Sequence, residues 1–234
     1  TPITFDVKVK EDITLSQLRF CNGDFDDSII RDEKFISSIL NLSHPKDNVA
    51  TLSVNVSNFA IADNVKAAAY CAKEKRETPI ELWDKDKYNV EDFWDIQMSE
   101  EEQDVKSITI KVNNFYILRS VERISLPAGV CIYCRAMDET LGEMRIHYAG
   151  FVHPFFGLNR KDEKKGTPLI FEVRGHNVEV LLTQGEILAR LFFYRMSELA
   201  DDPVQKDTSA KQNIPDPYRN QELKLSNFFK PYKA

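Results

Sequence analysis

Apolar residues in this chain recur mostly at every second position. Ile3, Phe5, Val7 and Val9 alternate with polar neighbours, and residues 15–20 repeat the pattern before the turn residues Asn22-Gly23-Asp24. Successive side chains of a strand point to opposite faces, so this period belongs to half-buried strands. The same reading predicts a strand at Leu52, Val54 and Val56. From Ser107 onward it predicts strands over 108–112, 115–119, 130–133, 144–148, 169–173, 178–182 and 187–194. Many short strands separated by turn signals predict an all-β fold, a barrel or jelly roll.

A minor helical part is expected at one place. Ile29, Ile30, Phe35, Ile36, Ile39 and Leu40 fall on one helical face behind Asp27 or Ser28 as a cap, and the pattern stops near His44-Pro45. Residues 67–72 fit either a helix or a small-residue strand. Residues 84–104 are polar and acidic, and Tyr88, Phe93 and Trp94 are expected to pin this loop-rich excursion to the core. Residues 201–214 are polar and free of glycine, a composition expected to be mobile, and a basic-aromatic tail follows over 223–229. The expected organisation is therefore N-terminal strands and a helix packing on the barrel (1–48), the barrel itself (49–198) and a closing tail (199–234).

Composition narrows the function classes. A 27.0 kDa chain is long enough for one sizeable core with an appended subdomain. A net charge of −6 argues against a generic nucleic-acid binder but leaves nucleotide binding open, since a few focused basic residues suffice. No apolar run approaches the ~20 residues that span a bilayer, and no signal-peptide pattern opens the chain. The chain begins at Thr1 without a methionine, so the expectation is a processed or excised piece with an N-terminal partner domain missing.

The four cysteines are expected to be reduced, in a cytoplasmic protein. Cys131 and Cys134 form a C-x-x-C, a spacing that zinc-dependent deaminases use beside an H-x-E. Here no histidine is followed two residues later by glutamate, and Pro127 does not adjoin Cys131. The two cysteines lie three apart on an expected strand, so their sulfurs diverge, and no zinc is expected.

Glu172 is the residue with most chemical content. It interrupts the apolar run Pro168-Leu169-Ile170-Phe171-Glu172-Val173. A carboxylate pressed into an apolar strand is desolvated, the setting in which carboxylates serve as general acid and base at neutral pH. A lone glutamate also has a plainer reading, pointing outward on the polar face, and the surrounding elements must decide between the two.

Four ordered runs bear on that choice: 115–122 (FYILRSVE), 143–151 (EMRIHYAGF), 171–174 (FEVR) and 221–226 (QELKLS). In order and spacing they resemble the dCTP deaminase and dUTPase superfamily, and within it the second half of the tandem-type 2'-deoxycytidine 5'-triphosphate deaminase. The resemblance covers most of the chain after residue 106; the first hundred residues match more diffusely, through 17–20 and Phe93-Trp94. It implies a distorted jelly-roll barrel of the trimeric dUTPase-like type, with nucleotide sites between subunits of a trimer or tandem assembly. It further implies hydrolytic deamination of dCTP to dUTP and ammonia without a metal-bound hydroxide. Glu172 would be the general acid/base and Arg135 would stand close to the catalytic centre. His147, Tyr148, Ala149, Gly150, Phe151 and Val152 would line the pyrimidine, with Ala149 and Gly150 leaving room for its approach. Arg174 belongs to the same binding set. Tyr218 and Gln221 would close over sugar and triphosphate, with Lys224 and Arg219 as charge partners. Mg²⁺ would enter on the nucleotide's phosphates.

The sequence also departs from that family's pattern. Short deaminases carry R-S-S-x-x-R where this chain has Arg135-Ala136-Met137-Asp138-Glu139-Thr140, so a serine and a second arginine are lost and acid is added. His153 stands before Pro154 where the superfamily favours aspartate, which weighs against a dUTPase, and Phe155-Phe156 replaces the usual glycine and aromatic. A non-catalytic or regulatory nucleotide-binding member is therefore the main alternative to a deaminase. A dUTPase or bifunctional enzyme is the third reading, and an unrelated barrel with an exposed Glu172 the last.

Overall fold

Leu52, Val54 and Val56 are wholly buried, as their alternation requires. In the computed structural model, residues 51–74, 80–81, 83, 86–127, 129–137, 144–147, 150–157, 166–196 and, in the tail, 222–223, 225–226, 228–230 and 232 are described. The strands and helix expected within 1–48 and the polar stretch 201–214 lie outside them.

The strands run β1 (Thr51–Asn55), β2 (Phe59–Ala62), β3 (Val65–Ala67), β4 (Ala69–Ala72), β5 (Trp94–Gln97), β6 (Glu100–Glu102) and β7 (Val105–Ile110). They continue as β8 (Phe115–Ile124), β9 (Val130–Ala136), β10 (Met144–His147), β11 (Phe151–Val152), β12 (Thr167–Gly175), β13 (Val180–Thr183) and β14 (Ile187–Arg195). A single 3-10 turn, Val90–Asp92, is the only helical element among the described residues.

The main sheet is antiparallel in the order β10-β12-β8-β1-β14-β9-β11, with β4 and β5 joined to it through β8. One core takes Tyr116 and Leu118 from β8, Phe171 and Val173 from β12, Ile132 from β9 and Leu191 and Phe193 from β14. It also takes Ile108 and Ile110 from β7 and Leu182 from β13, in a second sheet. Strands at both ends of a long path can share one core only if the sheet curls, and the result is the all-β, dUTPase-like architecture.

Local irregularities set the register. β1 pairs with β14 through Ser53 and with β8 from Val54 onward, and its register shifts between Leu52 and Ser53. The Ser53 amide, turned away from the ladder, is received by the Glu122 carboxylate at 2.8 Å, and the Ser53 hydroxyl reaches the other Glu122 oxygen at 2.6 Å. β12 shifts against β8 between Pro168 and Ile170, and there the Leu169 amide donates to the buried Ser120 hydroxyl at 3.0 Å. Ser120 and Glu122 of the FYILRSVE run thus satisfy backbone groups that two bulges free.

A second apolar cluster covers the outer face of β4, β5, β8 and β12. Tyr70, Val90, Leu223 and Phe229 are buried in it, packed with Phe93, Trp94, Ile117 and Ile170. The aromatics of 84–104 pin that region as expected, although it also holds β5 and β6. The ambiguous run 67–72 is extended, with Ala67 closing β3, Ala68 at a bend and β4 following.

Candidate active site

Strand alternation decides where Glu172 points. Phe171, Val173 and Gly175 are buried, whereas Glu172 and Arg174 are exposed. The burial expected of Glu172 from its apolar run is absent in the single chain: the strand turns its apolar residues inward and its carboxylate outward. Within the ladder, Glu172 lies opposite His147 of β10 on one side and Ile117 of β8 on the other. Directly opposite residues have Cα atoms about 4.5–5.5 Å apart, so the catalytic candidate and the first pyrimidine-lining candidate are neighbours. Arg174 shares the outward row, with its guanidinium 5.8 Å from the Phe115 ring centroid. Its position is fixed from behind by Gly175, where an added Cβ would lie 2.1 Å from the Lys111 carbonyl oxygen.

The other candidates are distributed around the sheet. Arg135 is exposed on β9, its guanidinium 5.8 Å from the Tyr133 ring and 5.4 Å from that of Phe192. Strands β8, β1 and β14 intervene between β9 and β12, so the ladder does not set Arg135 beside Glu172. Phe151 is exposed opposite Tyr133, while the Val152 side chain is buried in the core. At Gly150 an added Cβ would meet the Tyr133 ring at 3.2 Å, and the Gly150 carbonyl accepts from the Cys134 amide at 2.8 Å. Tyr148, Ala149, Tyr218, Arg219, Gln221 and Lys224 lie outside the described residues.

The sequence departures have local structural expression. Ala136 and Met137, at the lost serine positions, continue the ladder and offer no hydroxyl; the Met137 amide donates to the Leu188 carbonyl at 2.9 Å. Phe155 is buried with φ +68°, the left-handed region that glycine enters freely. His153 Nδ1 lies 2.6 Å from the Pro154 carbonyl oxygen and its ring meets Phe156 edge-on, so it shapes the turn. Cys131 is buried and Cys134 half-buried, and alternation along β9 puts Cys134 on the face of Ile132 and Cys131 on the other. Burial pushes the Cys134 thiol up to about 11.

Sequence reading missed a charged group on the Glu172 face. Arg119 and Arg123, four apart on β8, share one side of the strand. Arg119 Nη1 donates to Glu222 Oε2 at 3.1 Å, and Arg123 Nη2 donates to Glu222 Oε1 at 2.7 Å. Burial pulls the Arg119 pKa below its ordinary value, Glu222 pushes it back up and Arg123 lowers it further. The spacing of the two arginines was visible in the sequence; the acid that joins them comes from a hundred residues away and was not.

The curled antiparallel sheet is an all-β fold of the dUTPase-like class. The model of the family described as 2'-deoxycytidine 5'-triphosphate deaminase (DCD), C-terminal domain, matches residues 27–229. The chain belongs to that family, in keeping with the tandem-type resemblance read from its motifs. Among solved structures, it is similar to the 2'-deoxycytidine 5'-triphosphate deaminase from Agrobacterium tumefaciens, with a TM-score of 0.57 and 22% identity. That match covers 74% of this chain and 50% of the other, so the chain spans about half the length of that protein. No curated protein sequence matches the chain. Among the described residues, no helix is long and apolar enough to cross a membrane.

Proposed function

We propose that this chain is the Glu172-bearing part of a dCTP deaminase, which hydrolyses the cytosine amine to give dUTP and ammonia. The observation that carries the reading is the outward Glu172, set opposite His147 on the β10–β12 ladder within a chain of the deaminase family. In this reading Glu172 takes a proton from water as the oxygen attacks C4 of the base. It then returns that proton to the amine, which leaves as ammonia while the C4 hydroxyl becomes the carbonyl and its remaining proton passes to N3 of the ring, where the uracil product keeps it. Both roles need a face from which bulk water is excluded. Glu172 is exposed in the single chain, so a second subunit or domain laid over β10–β12 has to provide that cover. His147 to Val152 would contribute backbone groups to the base edge, Arg135 would come from another part of the assembly, and Tyr218, Gln221 and Lys224 would act from the tail. Mg²⁺ enters with the triphosphate as part of the substrate, and no residue of this chain is assigned to it.

The test is a product assay on the natural full-length polypeptide, supplied with dCTP or dUTP and Mg²⁺. Release of ammonia and dUTP from dCTP is expected; release of neither by a folded protein overturns the reading. A specific observation favours one alternative, a non-catalytic nucleotide-binding member: Ala136 and Met137 occupy the family's serine positions with no hydroxyl to offer. Binding of dCTP without turnover would be its signature.

A further inference from the structure

The Arg119–Glu222–Arg123 group is built like an anion site with an internal occupant. Each carboxylate oxygen of Glu222 receives one guanidinium, at 3.1 and 2.7 Å. Arg119 is clamped from its other side by the Phe59 ring, whose centroid is 3.5 Å from Cζ, a stacking distance that fixes the plane of the fork. Its Nε is buried and has no hydrogen-bond partner among the described residues, so one donor of the fork is left over. Arg123 is held in place by donating Nε to the Gly166 carbonyl oxygen at 3.3 Å. Two preorganised guanidiniums converging on one point attract an oxyanion, and a bidentate fork suits carboxylate and phosphate alike.

We propose that Arg119 and Arg123 form an oxyanion site of phosphate class, which the tail's Glu222 fills as an internal stand-in, so that phosphate and the seated Glu222 exclude one another. A carboxylate brings one charge and two oxygens. A phosphate brings more charge and a third oxygen to the same pair of guanidiniums. The place of the site gives the exchange a consequence. Arg119 lies opposite Ile170, two residues before Glu172 on the same outward row, about 7 Å away along the strand. Glu222 leads directly into Leu223, which is buried in the cluster over Ile117 and Ile170. A ligand phosphate that displaces Glu222 therefore loosens the start of the segment seated beside Glu172. As a subsite for a nucleotide's phosphate this rests on the deaminase reading; as an oxyanion site it stands on the arginines alone.

Calorimetry with inorganic pyrophosphate, dCTP and deoxycytidine separates these cases, using the full chain, Glu222→Gln, and the pair Arg119→Gln with Arg123→Gln. Removing the Glu222 charge should tighten pyrophosphate binding about tenfold, the scale of one charge-assisted contact, and the paired arginine variant should lose binding. If the paired variant does not fold, Arg123→Lys, which keeps the charge but loses the fork, should weaken pyrophosphate binding on its own. In the parent, pyrophosphate should speed hydrogen exchange at the amides of 222–226. Equal pyrophosphate affinity in the parent and Glu222→Gln overturns the proposal, as does undiminished binding without the arginines. Binding of dCTP with no competition from pyrophosphate overturns the site's part as the nucleotide's phosphate subsite, because those phosphates would then lie elsewhere. Pyrophosphate binding that follows the variants, in a protein that never deaminates dCTP, would leave the oxyanion site standing and remove the deaminase reading.

Discussion

The Glu122 carboxylate receives both the backbone amide and the hydroxyl of Ser53, one on each oxygen, at 2.8 and 2.6 Å. Ser53 sits where β1 changes partner from β14 to β8, so this acid ties the two halves of the curled sheet together. Glu122→Ala should cost about 2–3 kcal/mol of stability, the range for hydrogen bonds to a charged group together with a stranded, largely buried amide. Urea denaturation measures it. Glu122→Gln should recover part of the loss, because its amide oxygen can still accept from the Ser53 amide. A loss below ~0.5 kcal/mol for the alanine variant would mean that water replaces the carboxylate.

Strand alternation was legible wherever one face is buried and the other wet. Tyr116, Leu118 and Ser120 point inward on β8 while Ile117 and Arg119 point outward, as period two demands. The hairpin of β2 and β3 was not legible, because Phe59-Ala60-Ile61-Ala62 is apolar without alternation. Its turn rests on Asn64 at φ +61°, a weak signal beside the usual Asn-Gly. Glu172 shows the limit at the site. An apolar run surrounds it in one dimension, but alternation sends Phe171 and Val173 to the core and leaves Glu172 outside with Arg174. Ile117 and Ile170 on the same face are covered by Leu223 and Phe229 of the tail, which has no periodicity to read. Glu222 is the clearest case, because only the fold brings it to Arg119 and Arg123.

Glu172→Gln should leave the fold intact and stop the chemistry. The side chain is exposed and its strand neighbours supply the packing, so the change in stability should stay within about 0.5 kcal/mol. Losing a general acid/base lowers turnover by about 10²–10⁴-fold. Ammonia release from dCTP by the full-length variant measures this directly. Release at the parent rate would remove Glu172 from the mechanism and return it to the plain reading of an outward surface carboxylate.

Stability should fall at high pH. Burial, with a smaller contribution from Tyr232, holds the Tyr70 hydroxyl protonated up to about 12, and burial does the same for Tyr116. In the unfolded chain both would ionise near the ordinary value of 10. Between pH 10 and 12 the unfolded state therefore binds fewer protons than the folded one, and the free energy of unfolding decreases as pH rises. The contribution is complete below pH 10 and lost by about 12. Tyr70→Phe should flatten the decline by up to ~2–3 kcal/mol, since two pH units at 1.36 kcal/mol each bound it. Urea midpoints at pH 8, 10 and 11 for parent and variant measure the slope. Parallel curves would show that Tyr70 ionises freely in the fold.

Phe229 should prove to be the main anchor of the C-terminal tail. Its ring packs against Phe93 at 5.6 Å and Trp94 at 6.2 Å, and its backbone makes an isolated bridge with Tyr88. Around that bridge the Tyr88 amide donates to the Phe228 carbonyl at 3.1 Å, and the Lys230 amide donates to the Tyr88 carbonyl at 2.7 Å. Truncating a buried phenylalanine costs about 3–5 kcal/mol. Here the loss should appear as local opening, because the tail's cluster is separate from the main core. Phe229→Ala should therefore speed hydrogen exchange at Tyr88 and Lys230 and shift Trp94 fluorescence to the red, while the amides of β8 and β14 keep their protection. The same variant separates a docked tail from one that responds to nucleotide. If dCTP restores protection at Tyr88 and Lys230 in Phe229→Ala, the segment closes on ligand as well as on the barrel. If dCTP binds the variant as tightly as the parent and restores nothing, Leu223, Leu225, Phe228 and Phe229 serve packing alone.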